Sequence, residues 1–344
     1  MKLFETKIST EDIDGTVRPI IERGDMGFGS NVTLFEKEFQ TFSSKKYNTA
    51  LNSCSAAAFI SFAYLKEKYG SCDVYTPSIG FTSMAWSAKQ HGHNVIFVDV
   101  DENMLMSIDS YKDKRKLRCE RYSDGGIKPV LMPVLYGGVS TIENFTEAIK
   151  QDNYNEFIIV DSAHCSTPQM ESDITVFSFH PYKPIAASDG GMLSTDIEEV
   201  YEFTSAYRNF GRTNTQDGYQ IDKSGFKFYM NNLNATIALT QLKQYRFNLS
   251  QRVNAYQTLK QVDIKGSLVE HDRLSSYYVA TVLADDEESA MEMRNRYSEV
   301  RLYPPLHLQP YYQDCDCINL PNTENFYKRL VNLPLTYGKD IYNS

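Results

Sequence analysis

From about residue 32 to residue 250, short apolar β segments alternate with amphipathic helical ones. That alternation restricts the chain to a wound α/β sheet. Phe35, Phe39 and Phe42 recur at helical spacing, and residues 55–69 form a second helical run with Gly70 placed as its C-cap. Residues 74–76 and 95–98 read as short strands flanking the helix that carries Trp86, and residues 129–135 as another strand. Ser140 and Glu143 make a capping box for the next helix. Residues 232–245 are a long helix, after which the pattern changes to a strand at 277–283, a helix at 287–297 and a Pro-rich segment at 303–310. The expected organisation is a large α/β domain over residues 1–250, N-terminal arm included, and a smaller C-terminal α+β domain over residues 251–344. A chain of 344 residues that is 42% hydrophobic can bury cores of that size. It contains no internal repeat and no low-complexity tract.

Two of the predicted strands end in residues whose chemistry belongs together. Glu-Phe-Ile-Ile-Val-Asp at 156–161 is an apolar strand that brings Asp161 out at its C-terminal end, and a second strand at 173–180 ends just before Lys183. Binding groups in open α/β sheets gather at that edge. A lysine can hold an aldehyde cofactor covalently, and a carboxylate opposite a pyridine nitrogen keeps the ring protonated and electron-withdrawing. Lys183 and Asp161 therefore point to pyridoxal phosphate. Alone, each has a simpler reading, as a solvated surface charge and a helix cap.

Phosphate binding needs backbone donors at a helix N-terminus, and Asn-Ser-Cys-Ser-Ala-Ala-Ala at 52–58 supplies a small-residue turn opening a helix. An ordinary Ser-capped helix is the alternative. No Gly-x-Gly-x-x-Gly or Gly-Lys-Ser/Thr motif is present, which leaves a dinucleotide fold or P-loop without support.

The net charge of −9 and pI near 5.3 argue against a nucleic-acid surface. The N-terminal residues lack an apolar h-region, and no stretch approaches the roughly 18 apolar residues of a membrane span, so the expected location is the cytoplasm. Six scattered cysteines suit free thiols better than disulfides, and neither Cys315-Asp-Cys317 nor the six histidines have metal-ligand spacing. No metal is expected.

Many ordered segments resemble the DegT-type nucleotide-sugar aminotransferases, from about Gly27 to Pro334. They include Gly-Phe-Gly-Ser-Asn-Val at 27–32, Asn-Ser-Cys-Ser-Ala-Ala at 52–57, Tyr-Thr-Pro-Ser-Ile-Gly-Phe at 75–81 and Val-Asp-Val-Asp at 98–101. Leu-Tyr-Gly at 135–137, Val-Asp-Ser-Ala-His at 160–164 and the Lys183 segment through Gly190-Gly191 continue the likeness. Arg-Asn-Phe-Gly-Arg at 208–212, Gly-Phe-Lys-Phe at 225–228 and Tyr-Pro-Pro-Leu-His-Leu-Gln-Pro-Tyr-Tyr at 303–312 complete it. The phosphate turn reads Cys54-Ser55 where the family usually has Gly-Thr.

The resemblance implies a fold-type I pyridoxal phosphate enzyme: a large α/β/α sandwich with a mostly parallel mixed sheet, plus a smaller C-terminal α+β domain. It implies that Lys183 binds the cofactor and shuttles a proton, that Asp161 pairs with the pyridinium nitrogen, and that His164 lies near the phenolic oxygen. Phe81 would stack on the ring. Ser55, Ser178 and the amides around Cys54 would hold the phosphate, and Lys227 would reach in from a neighbouring subunit of a homodimer with shared active sites. Tyr303 and His307 would line the substrate side. The implied reaction moves an amino group from L-glutamate, leaving 2-oxoglutarate, to a nucleotide-linked keto sugar such as a 4-keto-6-deoxyhexose in glycan biosynthesis. Amination at sugar C3, or of a small phosphorylated ketone, are alternatives. A related dehydratase is disfavoured because such relatives carry His in place of Lys183, and a non-catalytic cofactor-binding regulator because it needs neither Lys183 nor Asp161.

Overall fold

The computed structural model describes residues 11, 13–122, 127–142, 145, 147, 149, 156–297, 303–316 and 320–335. The main sheet is built from β1 (Tyr47–Leu51), β2 (Asp73–Pro77), β3 (Asn94–Val98), β4 (Pro129–Leu131), β5 (Phe157–Asp161), β6 (Ile174–Ser178) and β7 (Gly191–Thr195). Their order is β1-β7-β6-β5-β4-β2-β3. β7 runs antiparallel to both neighbours and the other pairs are parallel.

Around this sheet the chain forms α1 (Arg18–Glu22), α2 (Ser30–Ser43), α3 (Cys54–Tyr69), α4 (Ser83–Gln90), α5 (Ile108–Tyr122), α6 (Glu198–Tyr207) and α7 (Asn232–Leu259). In β5, Phe157 and Ile159 face one core while Ile158 and Val160 face another. A strand apolar on both faces belongs in a sheet covered on both sides, which makes the architecture α/β. Phe35 and Phe39 of α2 pack edge-on against Phe179 and Phe177, with ring centroids 5.0 and 4.9 Å apart.

β8 (Arg212–Thr215) and β9 (Gly218–Ile221) make a separate hairpin. The C-terminal part adds an antiparallel sheet of β10 (Gly266–Leu268), β11 (Ala280–Ala284) and β12 (Leu330–Leu333). It carries α8 (Glu287–Tyr297) and α9 (Pro321–Arg329).

The structure departs from the sequence reading in three places, and the expected capping box lies partly outside the described residues. The strand expected over 129–135 stops at Leu131, because Pro133 has no N–H for the ladder, and a short 3₁₀ turn follows at Tyr136–Gly138. The helix expected over 232–245 runs on to Leu259, so that residue 250 lies inside it. The strand expected from 277 begins at Ala280, because Tyr277 takes a left-handed backbone with φ 47°. Glu143 lies outside the described residues, and the Ser140 hydroxyl donates to Asp272.

Candidate active site

Register brings three strand ends to the same edge of the sheet. Leu51 and Ser178 both pair with Gly191, and Asp161 pairs with Val176 one strand over. Beyond Leu51 the chain turns directly into α3, whose N-cap is Ser53, its side chain accepting from the Ala56 amide at 3.1 Å. Cys54 and Ser55 then occupy the first helical positions, where N–H groups have no acceptor within the helix and point outward at its positive end. Gly191 faces this turn, and a Cβ there would overlap the Ser53 carbonyl group and the Cys54 amide nitrogen.

The turn opens into a cleft of about 250 Å³ whose lining includes Ser55, Phe81, Asp161, Ser178, Lys183 and Tyr303. Asp161 is only 5% exposed, and its Oδ1 accepts from the Ala163 amide at 3.0 Å. Burial raises its pKa, opposed by that hydrogen bond and by Lys183. Burial lowers the Lys183 amine to about 8, with Asp161 and Cys54 pulling it back up. A substantial fraction of this lysine is thus neutral near physiological pH. Burial also pushes the Cys54 thiol up, reinforced by Asp161, so it stays protonated.

His164 lies on the same wall, 5% exposed, with Nε2 3.3 Å from the Tyr303 hydroxyl. Burial, assisted by Lys183, lowers its pKa well below the usual imidazole value, and its buried Nδ1 has no hydrogen-bond partner among the described residues. Phe81 stands at the mouth, 56% exposed, its ring 5.8 Å from that of Tyr303.

Two expected site residues are not at the cleft. Lys227 is exposed, with its amine 5.7 Å from the Tyr229 ring centroid, although its carbonyl accepts from the Asn52 side chain at 3.3 Å, beside the phosphate turn. His307 is buried elsewhere: its Nδ1 is 2.6 Å from the Ser78 hydroxyl and its Nε2 3.3 Å from Glu324. The geometry adds Tyr278, which sequence reasoning missed. Its ring lies 4.3 Å from that of His164 and its hydroxyl 3.4 Å from Lys183 Nζ. The paired tyrosines at 277–278 were visible, but only the packing of the C-terminal part brings one of them here.

These residues fit pyridoxal phosphate. The unpartnered His164 Nδ1 awaits a polar group, the glycine-faced turn leaves room at a helix N-terminus for an anion, and an amine and a carboxylate share the cavity. The model of the DegT/DnrJ/EryC1/StrS aminotransferase family matches residues 7–339. The chain belongs to that family. As a DegT-family member it is a pyridoxal phosphate-dependent aminotransferase.

Among DegT-family relatives, the spore coat polysaccharide biosynthesis protein SpsC of Bacillus subtilis strain 168 is 29% identical, over 95% of this chain and 90% of its own. GDP-perosamine synthase of Escherichia coli O157:H7 is 24% identical, over 89% of this chain and 85% of its own. The fold is that of Helicobacter pylori PseC, an aminotransferase of pseudaminic acid biosynthesis, with TM-score 0.84 and 20% identity, covering 97% of this chain and 93% of that one.

Proposed function

We propose that this aminotransferase moves an amino group from L-glutamate to the keto group of a nucleotide-linked sugar, specifically a 4-keto-6-deoxyhexose, for glycan biosynthesis in the cytoplasm. The reading is carried by the convergence of Lys183, Asp161 and the N-terminus of α3 on one buried cleft. The names of the relatives, a spore-coat polysaccharide protein and a perosamine synthase, support the sugar acceptor. Among the described residues no helix is long and apolar enough to cross a membrane.

Pyridoxal phosphate, when bound, supplies an aldehyde that joins amines and a ring that draws electrons from the adjoining carbon. The Cys54 and Ser55 amides, with the Ser55 and Ser178 hydroxyls, hold its phosphate. A buried carboxylate gains most from an opposite charge, so Asp161 keeps the proton on the ring nitrogen. Neutral His164 presents its free Nδ1 to the phenolic oxygen. Lys183 would hold the cofactor through its neutral amine and, when free of it, would carry a proton between the substrate carbon and the carbon on the other side of the transferred nitrogen. With the group bound, glutamate would give up its nitrogen and leave as 2-oxoglutarate, and the keto sugar would take that nitrogen up.

At about 250 Å³ the cleft is smaller than most ligand sites, which run from roughly 300 Å³ upward. It suits the cofactor, so the sugar and its nucleotide would rest toward the mouth beside Phe81 and Tyr182, both exposed. The enzyme acts as a homodimer. Support comes from exposed apolar side chains, Tyr219 and Ile221 on the β8–β9 hairpin and Trp86 and Phe226 elsewhere on the surface. Lys227 then faces the partner subunit.

Purified protein should gain visible absorption on mixing with pyridoxal phosphate, and Lys183→Ala should not. Glutamate should discharge that absorption with stoichiometric release of 2-oxoglutarate, and an accepting keto sugar should restore it. A wild type that gains no absorption sinks the role of Lys183; a band indifferent to glutamate sinks the donor.

A further inference from the structure

Over one full cycle Lys183 would leave the cofactor in the first half-reaction and rejoin it only at the end of the second, staying free in between. A released lysine has four rotatable bonds and a buried charge to dispose of, so something in the cleft has to hold it. Asp161, Cys54, His164, His180 and Asp189 face the same space, but the hydrogen-bond partner of Nζ among the described residues is the Tyr278 hydroxyl at 3.4 Å. Nζ also lies 4.5 Å from the centroid of the Tyr278 ring, within range for a cation held over an aromatic face. Burial and the neighbouring Tyr303 and Tyr136 push the Tyr278 pKa well above its ordinary value, so the phenol stays neutral.

The backbone is arranged to deliver this side chain. Gly138 accepts from the Ser276 amide at 2.7 Å, and Gly137 accepts from the Tyr278 and Val279 amides at 3.1 and 3.2 Å. The clamp needs positive φ at Gly137 (70°) and Gly138 (93°), and a Cβ on Gly138 would lie 2.8 Å from the Tyr278 nitrogen. Tyr277 itself is held at φ 47°, a conformation side chains other than glycine resist unless their surroundings impose it. Buried Arg252 ties the two loops together, donating to the Ser276 carbonyl at 3.1 Å and to that of Pro184, the residue after Lys183, at 3.3 Å.

We propose that Tyr278 is a positioning residue for Lys183, holding its amine over the ring and beside the hydroxyl whenever that amine is not bonded to the cofactor. The proposal rests on the cofactor-binding role of Lys183 given above.

The test follows capture of pyridoxal phosphate by cofactor-free protein as a function of pH, since only the neutral amine attacks. Wild type should show a midpoint near 8. Tyr278→Phe keeps the ring and loses the oxygen that accepts from the ammonium, so its midpoint should fall by roughly half a pH unit or more. A variant that melts with the wild type and keeps its midpoint overturns the proposal. A second measurement needs no variant at this position. In cofactor-free protein labelled at lysine ε-carbons, the Lys183 ε-methylene, assigned by its loss in Lys183→Ala, should resonate upfield of the other lysines because the Tyr278 ring shields it. A signal among the bulk lysines overturns the proposal even if Tyr278→Phe does not fold. If wild type captures no cofactor at all, the cofactor role of Lys183 falls, while the resonance still decides the contact.

Discussion

Cys54 stands at a helix N-terminus beside a lysine, two features that favour a thiolate, yet burial outweighs both and keeps its thiol protonated. Its reaction with iodoacetamide at pH 8 should be at least ~10-fold slower than that of an unstructured cysteine, measured by mass mapping of the cofactor-free protein. Facing it, Gly191 keeps the turn open. Gly191→Ala should weaken pyridoxal phosphate by at least ~10-fold while leaving the weaker affinity for unphosphorylated pyridoxal unchanged, a difference that titration of both ligands reads directly. Lys183 and Asp161 were legible because each follows an apolar strand, and strand ends meet at one edge. Tyr278 was not, because it reaches the cleft through a left-handed turn and two glycine carbonyls that no periodicity encodes. His307 sits in a segment read from its resemblance to the family, but its ring is taken up by Ser78 and Glu324.

Elements show the same division between local pattern and remote packing. The core strands and α3, capped by Ser53 and closed by Gly70 at φ 74°, follow from alternation and end signals near in sequence. The length of α7 does not. Its first half packs Ala235, Ala238 and Tyr245 against the main sheet's helices, and its second half sends Tyr256 and Leu259 into the C-terminal core. A change of partner midway erases any single apolar stripe, which is why the periodicity faded near residue 245. Arg252 lies in that second half, buried and donating to two carbonyls. Arg252→Ala should cost on the order of 3 kcal/mol in chemical denaturation, because it leaves those carbonyls without their charged donor.

For the whole molecule, histidines kept neutral inside it contribute to the response to acid. Burial lowers His271 from 6.5 to about 4, and lowers His91 and His93 as well. Below pH 6.5 and down to about 4 these histidines bind more protons in the unfolded chain than in the folded one, and the stability they contribute is lost as pH falls through that window. His271 alone accounts for something on the order of 3 kcal/mol by pH 4, so His271→Gln should flatten the dependence of melting temperature on pH there. Sedimentation of the native protein should give twice the mass of one chain, and Phe226→Asp should reduce it to one. The long helix carries a mechanical consequence. Because one uninterrupted rod is embedded in both cores, any swing of the two parts would have to bend it, so opening and closing of the cleft should fall to the short segments at its mouth. Hydrogen exchange should accordingly remain slow along residues 245–256 during turnover, while the backbone around Phe81 and Tyr182 changes with each substrate that comes and goes.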